Sequence, residues 1–227
     1  MRIYLSLLFL CIVALSCKTK PEPKKTPIYG PIAENAMVVS ARAEASKIGS
    51  EILEQGGNAF DAMFATEMAL AVTFPFAGNL GGGGFMVYRL ENGETGALDY
   101  REKAPLLSSK TMYQDKNGNI KPNLSTVGAK AVGVPGTIAG IFEAHRTFGS
   151  MPKDSLLMPV IKLAEQGYVI TKNQKERLEY YAPIFDSVNG KTTLYSENLT
   201  DTVKNIALAK TLKRIATNGE SEFYTGE

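Results

Sequence analysis

The charged side chains best suited to ligand recognition stand together in the segment Asp99-Tyr100-Arg101-Glu102. The guanidinium group of arginine is planar and can bind a carboxylate through two parallel hydrogen bonds, so Arg101 is a candidate for holding an acidic ligand. A simpler interpretation also exists, because strand alternation places Asp99 and Arg101 on one face. From the residue types alone, an ion pair among Asp99, Arg101 and Glu102 is favoured.

A second candidate is the run of four glycines at residues 81–84. A P-loop requires Lys followed by Ser or Thr after its last glycine, whereas Phe85 follows here. A dinucleotide-binding loop lies between a strand and a helix, whereas this run precedes a strand-like segment. Because glycine permits close backbone approach, the run predicts a tight crossover from a helix to a strand.

Residue types that bind metals or act as nucleophiles are scarce. The 227 residues include one histidine, His145, and two cysteines, Cys11 and Cys17. We therefore expect neither a metal site nor a cofactor. His145 lies on the apolar face of a predicted helix without a carboxylate at suitable spacing, which is typical of a structural histidine. The net charge of +2, without a basic stripe, argues against nucleic-acid binding.

Residues 1–17 are predicted to be a lipoprotein-type signal peptide. The apolar run at residues 3–15 is shorter than the roughly 20 residues needed to span a bilayer. Ala14-Leu15-Ser16-Cys17 resembles a bacterial lipobox, in which Cys17 is the lipidated residue; an ordinary signal peptide is the alternative. Residues 18–35, rich in Pro and Lys, predict a linker. We expect an exported protein of the periplasm or cell envelope, attached to the membrane only through a lipid anchor.

Residues 36–227 are predicted to form the globular region, with an α+β fold. A β-like run at residues 37–40 comes first. Apolar periodicity and glycine stops predict helices at 43–55, 59–72, from Pro135-Gly136 to Gly149, at 156–166, after Thr171, and at 203–216. Asn58 is a suitable N-cap, with Asp61 in the first turn of its helix. Asn92-Gly93 predicts an antiparallel hairpin whose second strand ends just before Arg101.

Several segments together resemble the γ-glutamyltranspeptidase family, in the family's order and spacing. They are Met37-Val38-Val39-Ser40, Gly56-Gly57-Asn58-Ala59-Phe60-Asp61-Ala62, Leu80-Gly81-Gly82-Gly83-Gly84-Phe85, Arg101-Glu102-Lys103-Ala104-Pro105, Val134-Pro135-Gly136-Thr137 and Phe223-Tyr224-Thr225-Gly226. The resemblance implies an N-terminal-nucleophile hydrolase with a four-layer αββα sandwich. The family makes one precursor, which cuts itself into a large and a small subunit. This chain is then expected to be an incomplete large-subunit part.

The resemblance also implies an activity, that of a glutathione hydrolase or γ-glutamyltransferase. Its substrates are glutathione or other γ-glutamyl compounds, and its partner is the small subunit of the same precursor. A threonine nucleophile takes the γ-glutamyl group and passes it to water or to an amino acid. No threonine here belongs to the family's Thr-x-His pattern, so the nucleophile is expected beyond this chain and no catalytic residue is assigned. At the position of Arg101, the family's arginine holds the substrate α-carboxylate, which makes substrate binding the preferred role.

Two alternatives stay open. One is a truncated, lipid-tethered domain that binds γ-glutamyl compounds without turning them over. The other is a relative that acts on other acyl amides, as cephalosporin acylases and poly-γ-glutamate depolymerases do. Under the main hypothesis and under both alternatives, the chain alone is expected to be inactive as a γ-glutamyl hydrolase. It is also expected to fold poorly alone, because truncation exposes strand edges and an apolar face.

Overall fold

The computed structural model describes residues 30–196 and 201–226. Contacts divide the chain into Met1–Asn35 and a compact unit, Ala36–Glu227. In the first of these, residues 30–35 contain no helix or strand. The predicted signal peptide with Cys17, and residues 18–29 of the predicted linker, lie outside the described residues. Of the helices that are described, none combines the length and apolar character that a membrane crossing requires.

Helices dominate the compact unit, and its strands are short. In the described ranges the elements are α1 Ala43–Glu54, α2 Ala59–Thr73, β1 Phe85–Arg89, β2 Thr95–Asp99, a 3-10 turn at Ala129–Ala131, α3 Thr137–Phe148, α4 Lys153–Gln166, β3 Tyr168–Val169, α5 Lys172–Asn189, β4 Thr202–Val203, α6 Ile206–Asn218 and α7 Glu220–Thr225. β1 pairs with β2 and β3 with β4, both antiparallel. The mixture of helices and antiparallel strands confirms the predicted α+β class.

The apolar core is centred on α2. This helix packs against α1, α3 and α4, and α6 packs against α4. Phe64, Ala65, Met68 and Ala69 of α2 are fully buried. A helix that is apolar on nearly all sides must be covered on nearly all sides, as its sequence predicts.

The N-terminus of α2 has the predicted cap. The Asn58 side chain accepts hydrogen bonds from the backbone N–H groups of Phe60 and Asp61, at 2.8 and 3.1 Å. The Asp61 carboxylate in turn accepts from the backbone N–H of Asn58 at 2.9 Å. This reciprocal capping box satisfies amides that have no acceptor within the helix.

Arg101 follows the β1–β2 hairpin, which turns where Asn92-Gly93 predicts it. Gly93 has a φ of +90°, a conformation that glycine adopts without steric cost. Phe85 pairs with Asp99 at the open end of the hairpin. On the inner face, the Tyr88 ring meets the Phe60 ring edge-on and the Phe148 ring at a tilt, whereas Phe85 on the outer face is 65% exposed. The hairpin therefore rests on the helices through one face only.

One predicted strand is absent, and the predicted starts of two helices are wrong. Residues 37–40 form no strand, because no described segment pairs with their backbone. The last long helix begins at Ile206 rather than at Val203, which pairs with Tyr168 in the β3–β4 ladder. Its start is set by the Asn205 side chain, which accepts from the backbone N–H of Leu208 at 2.9 Å. α4 begins three residues before the predicted position.

Candidate functional site

Backbone hydrogen bonds hold the chain on both sides of Arg101. Before it, Tyr100 and Gly84 exchange two bonds, with N···O distances of 3.0 and 3.3 Å. After it, Lys103 and Val134 exchange two bonds, at 3.0 and 2.7 Å. Arg101 thus occupies a short bridge between two antiparallel pairings. The position of its Cα is set by segments that lie far apart in the sequence.

Two glycines let neighbouring backbone approach this bridge. A Cβ at Gly83 would lie 2.7 Å from the carbonyl oxygen of Tyr100 and 2.9 Å from the Cα of Arg101. A Cβ at Gly136 would overlap the same carbonyl oxygen. The run at residues 81–84 is therefore a tight crossover from α2 to β1, as predicted, and its physical role is close packing beside Arg101.

The guanidinium group of Arg101 is only partly engaged. Its side chain is 60% exposed, and Nε donates to Glu102 Oε2 at 2.9 Å. Its guanidinium carbon lies 5.6 Å from the centre of the Phe85 ring. Asp99 accepts from the backbone N–H of Arg101 at 2.9 Å, not from its guanidinium group, so only the Glu102 part of the predicted ion pair forms. No described residue accepts a hydrogen bond from the two terminal nitrogens.

Glu102 is suited to holding the guanidinium plane. Its own backbone N–H and then the Arg101 side chain lower the pKa of the Glu102 carboxyl below its usual range, so it is ionised at neutral pH. A carboxylate that engages Nε leaves free the end-on edge of the guanidinium group, which is formed by its two terminal nitrogens. Those nitrogens can receive a second carboxylate end-on.

A cleft of about 470 Å³ lies beside Arg101. It opens between the end of β2, the N-terminal half of α3 and α7. Its charged lining side chains have both signs: Asp99, Arg101, Lys103, Glu143, Arg146 and Glu220. A space of this size holds a small molecule, and a lining of mixed charge is compatible with a zwitterionic group.

A larger groove of about 660 Å³ lies between α1 and α4, away from this cleft. It contains none of the residues that the sequence singles out for chemistry. Size alone therefore does not identify the site, and we take the cleft beside Arg101 as the candidate because it combines concavity with an incompletely paired guanidinium group.

A second polar cluster, centred on Asp61, was not foreseen from the sequence. Asp61 is fully buried, and its carboxylate accepts from Ser150 Oγ at 2.6 Å and from the backbone N–H groups of Ser150 and Met151 at 3.0 and 3.2 Å. His145 Nε2 lies 2.9 Å from the carbonyl oxygen of Met151 and 3.4 Å from Asp61. The cluster pins the start of α2 to the α3–α4 turn.

The hydrogen bonds in this cluster stabilise the ionised form of Asp61, which indicates a structural role for this residue. Burial raises the pKa of the Asp61 carboxyl, but the Ser150 hydroxyl and the backbone N–H groups of Asn58, Ser150 and Met151 together lower it below the usual range. The Ser150 hydroxyl donates to this carboxylate, but the lowered pKa of Asp61 makes it a weak base, and its full burial keeps it away from any ligand, so we assign the pair no catalytic role. The sequence shows the Asn58–Asp61 capping box but contains no local signal for Ser150.

Metal ligands do not gather anywhere in residues 30–196 and 201–226: no three His, Cys, Asp or Glu side chains lie close enough together to hold an ion. The predicted site residues are thus placed as follows. Arg101 lies at the cleft, whereas Cys17 lies outside the described residues.

Comparison with known proteins points in one direction. Residues 45–227 match the family model described as gamma-glutamyltranspeptidase. The glutathione hydrolase proenzyme of Pseudomonas aeruginosa is 46% identical over 185 residues, which are 80% of this chain and 32% of that protein. The proenzyme of the same name from Escherichia coli is 40% identical over 206 residues, covering 88% of this chain and 36% of its own length. The chain therefore spans about a third of the length of these relatives.

Solved structures give the same result. The structure of Helicobacter pylori gamma-glutamyltranspeptidase superposes with a TM-score of 0.82 at 43% identity, covering 88% of this chain and 59% of that one. The Bacillus anthracis transpeptidase enzyme CapD superposes with a TM-score of 0.67 at 29% identity, covering 86% of this chain and 63% of that one. These similarities confirm the predicted fold class and the resemblance stated from the motifs.

Proposed function

Because this chain belongs to the γ-glutamyltranspeptidase family, we propose that it is the large-subunit part of a precursor that cleaves glutathione and other γ-glutamyl amides. In this proposal the threonine nucleophile lies in a segment outside these 227 residues. The γ-glutamyl group passes from that threonine to water or to an amino acid. Relatives named as proenzymes support a precursor that is processed into subunits.

The observation that carries the proposal is the incompletely paired guanidinium group of Arg101 at the mouth of a small-molecule cleft. A substrate α-carboxylate can bind the two terminal nitrogens in two parallel charge-assisted hydrogen bonds. Glu102 holds Nε, which limits rotation of the guanidinium plane. Fixing the α-carboxylate orients the rest of the γ-glutamyl group, so that its γ-carbonyl meets the nucleophile in a constant geometry.

The outer face of the hairpin supports a second subunit. Phe85 and Val87 are 65% and 84% exposed on this face, and β1 and β2 pair only with each other among the described strands. An apolar face with open strand edges is costly to leave in water. We propose that the small subunit of the same precursor covers it.

Export and a lipid anchor complete the proposal, on sequence grounds alone. Residues 1–17 direct export, Cys17 carries the lipid, and residues 18–35 tether the globular region to the cell envelope. Incorporation of labelled fatty acid into the wild-type precursor, and its loss in Cys17→Ser, is the expected result. Equal labelling of both proteins would contradict the anchor and leave the enzymatic proposal untouched.

The enzymatic proposal is tested with Arg101→Lys in the complete precursor, with Arg89→Lys as the matched control. Arg89 is an exposed arginine on the same hairpin but away from the cleft. A lysine cannot reproduce the bidentate fork, so we expect kcat/KM for a γ-glutamyl anilide to fall roughly 30- to 1000-fold, or about 2–4 kcal/mol. The control is expected to stay within about twofold of wild type, as surface substitutions usually do.

Self-cleavage is followed on a gel with the same samples. It is expected to proceed normally in Arg101→Lys, because the precursor's own peptide bond presents no free α-carboxylate to this residue. Normal turnover in Arg101→Lys would return Arg101 to a surface ion pair. Loss of both cleavage and turnover would make it a folding residue.

A further inference from the structure

We propose that Tyr224 is a positioning residue for Arg101. It acts through residues 133–139, the segment that runs from the Val134 pairing into α3. The inference rests on the proposed function, because it assigns Tyr224 a part in the substrate binding attributed to Arg101.

The N-terminus of α3 has no cap of its own. Its N-cap residue is Gly136, which has no side chain to accept a hydrogen bond. The first N–H groups of a helix have no acceptor within the helix, so others must supply one. Gly82 supplies its carbonyl oxygen to the N–H groups of Gly136 and Thr137, at 2.7 and 3.0 Å. Of the two other amides in this first turn, those of Ile138 and Ala139, the Ala139 N–H donates to the Tyr224 hydroxyl at 3.2 Å.

The same hydroxyl also binds the other side of this turn. Tyr224 donates its hydrogen to the carbonyl oxygen of Pro135 at 2.9 Å. One group therefore links the residue before the N-cap to the first turn of α3, as donor to Pro135 and as acceptor from Ala139. Burial raises the pKa of the Tyr224 hydroxyl, so it keeps the hydrogen that it donates. Phenylalanine in this place would leave a carbonyl and an amide without partners.

The segment that Tyr224 holds is the one that pins Arg101. Val134 exchanges two backbone hydrogen bonds with Lys103, and the Gly136 Cα lies against the carbonyl group of Tyr100. A shift of residues 133–136 must therefore displace the bridge on which Arg101 stands, because close-packed backbone has no room to absorb it. The Tyr224 hydroxyl is thus linked to the backbone beside Arg101 by the Val134–Lys103 hydrogen bonds and by the packing of Gly136 against Tyr100.

Tyr224 is itself held in place. It belongs to α7, which packs on α6 and α3. Glu222, two residues earlier, accepts from the Asn218 side chain at 2.8 Å and forms an ion pair with Arg214. Phe223 packs against the core. A hydroxyl on an anchored element can hold a neighbouring turn, whereas one on a loose terminus cannot.

The test is a double-mutant cycle in the complete, self-cleaved protein, with wild type, Tyr224→Phe, Arg101→Lys and the double variant. Tyr180→Phe is the matched control, because Tyr180 is 75% exposed and its hydroxyl bonds to no described residue. KM and kcat are measured with a γ-glutamyl anilide, and subunit formation is followed on a gel. All assays run well below the melting temperature of each variant, so reduced stability does not enter KM.

Tyr224→Phe is expected to raise KM about 3- to 10-fold and to leave kcat within about twofold. The loss of one or two hydrogen bonds loosens the segment that positions Arg101, and this weakens substrate binding by about the free energy of those bonds. In the Arg101→Lys background the same change is expected to have little further effect. If Arg101→Lys lowers turnover but Tyr224→Phe leaves KM unchanged, or adds its full effect in the double variant, the positioning role is wrong and the proposed function stands. If Arg101→Lys leaves turnover unchanged, both fall.

Discussion

Asp61 and Arg101 are both charged, yet their surroundings assign them opposite roles. Asp61 is fully buried, and its carboxylate accepts from the Ser150 hydroxyl and from the backbone N–H groups of Asn58, Ser150 and Met151. Arg101 is 60% exposed, and two of its nitrogens have no partner among the described residues. A buried charge must be satisfied by the protein, whereas an exposed and partly free guanidinium group is available to a ligand. The surroundings of Asp61 therefore indicate a role in stability, whereas those of Arg101 fit the proposed role in ligand binding.

Asp61→Asn is expected to destabilise the protein by about 3 kcal/mol at neutral pH, because an amide NH2 would face donors that now bind a carboxylate. The measurement is the free energy of unfolding from urea denaturation of the complete protein. Asp154→Asn is the control, since the Asp154 side chain is 67% exposed. Equal losses in the two variants would contradict the assignment.

The contribution of Asp61 is also expected to depend on pH. Its folded-state pKa is lowered, so the unfolded chain binds the proton more readily. The stabilisation is complete above the unfolded pKa of about 3.9 and is lost as the pH falls through the folded value. The difference in unfolding free energy between wild type and Asp61→Asn should therefore be constant from pH 7 to about pH 5 and shrink below about pH 4. A difference that grows on acidification would show that another group dominates.

Among the elements, the glycine crossover and the N-terminus of α3 form one unit. Gly82 accepts two amides of the α3 N-terminus, and Gly83 lies against the backbone around Arg101. Four successive glycines are thus not equivalent. Gly81 has nothing within 4 Å of a would-be Cβ, whereas Gly83 meets three backbone atoms below 3.0 Å.

This difference gives a matched pair of variants. Gly83→Ala is expected to destabilise the protein by about 1–3 kcal/mol, because backbone atoms must move to admit the methyl group. It should also lower kcat/KM, since the displaced atoms flank Arg101. Gly81→Ala is expected to leave melting temperature and kcat/KM close to wild type. Similar losses in both variants would show that the run acts through backbone flexibility instead of close packing.

In the molecule as a whole, the helices bury one side of the β1–β2 hairpin and leave the other in solvent. Val87 is 84% exposed there, and Leu106 and Leu107 in the segment after Arg101 are fully exposed. By contrast, most residues of α2 are buried, so the apolar residues that this unit leaves in solvent lie on the outer face of the hairpin and in the segment after Arg101.

Val87→Lys is expected to have opposite effects in two settings. In the 227-residue chain alone it should reduce self-association and binding of a hydrophobic dye, because a charge interrupts the apolar face. In the complete protein it should weaken association of the two subunits, because the charge is then buried without a partner. Val169→Lys, at an exposed valine of the other small sheet, is the control. Size-exclusion chromatography and dye fluorescence decide the first case, and subunit dissociation in urea the second.

Features that depend on neighbouring residues in the chain were determined by the sequence itself. The Asn58 cap, the turn at Asn92-Gly93 and the burial of α2 follow from interactions within about four residues and from apolar periodicity. The ordered motifs also identified the family and singled out Arg101.

Contacts between distant segments were decided only by the tertiary structure. Asp61 meets Ser150 across 89 residues, and Tyr224 meets Pro135 across the same separation. α6 begins at Ile206, later than predicted, because Val203 pairs with Tyr168 in the β3–β4 ladder. Residues 37–40 form no strand because no described segment pairs with them. A hydrogen bond between such segments leaves no local periodicity or spacing, since its energy depends on packing that brings the two backbones together. For that reason the sequence identifies Arg101, but only the folded chain shows what holds it in place.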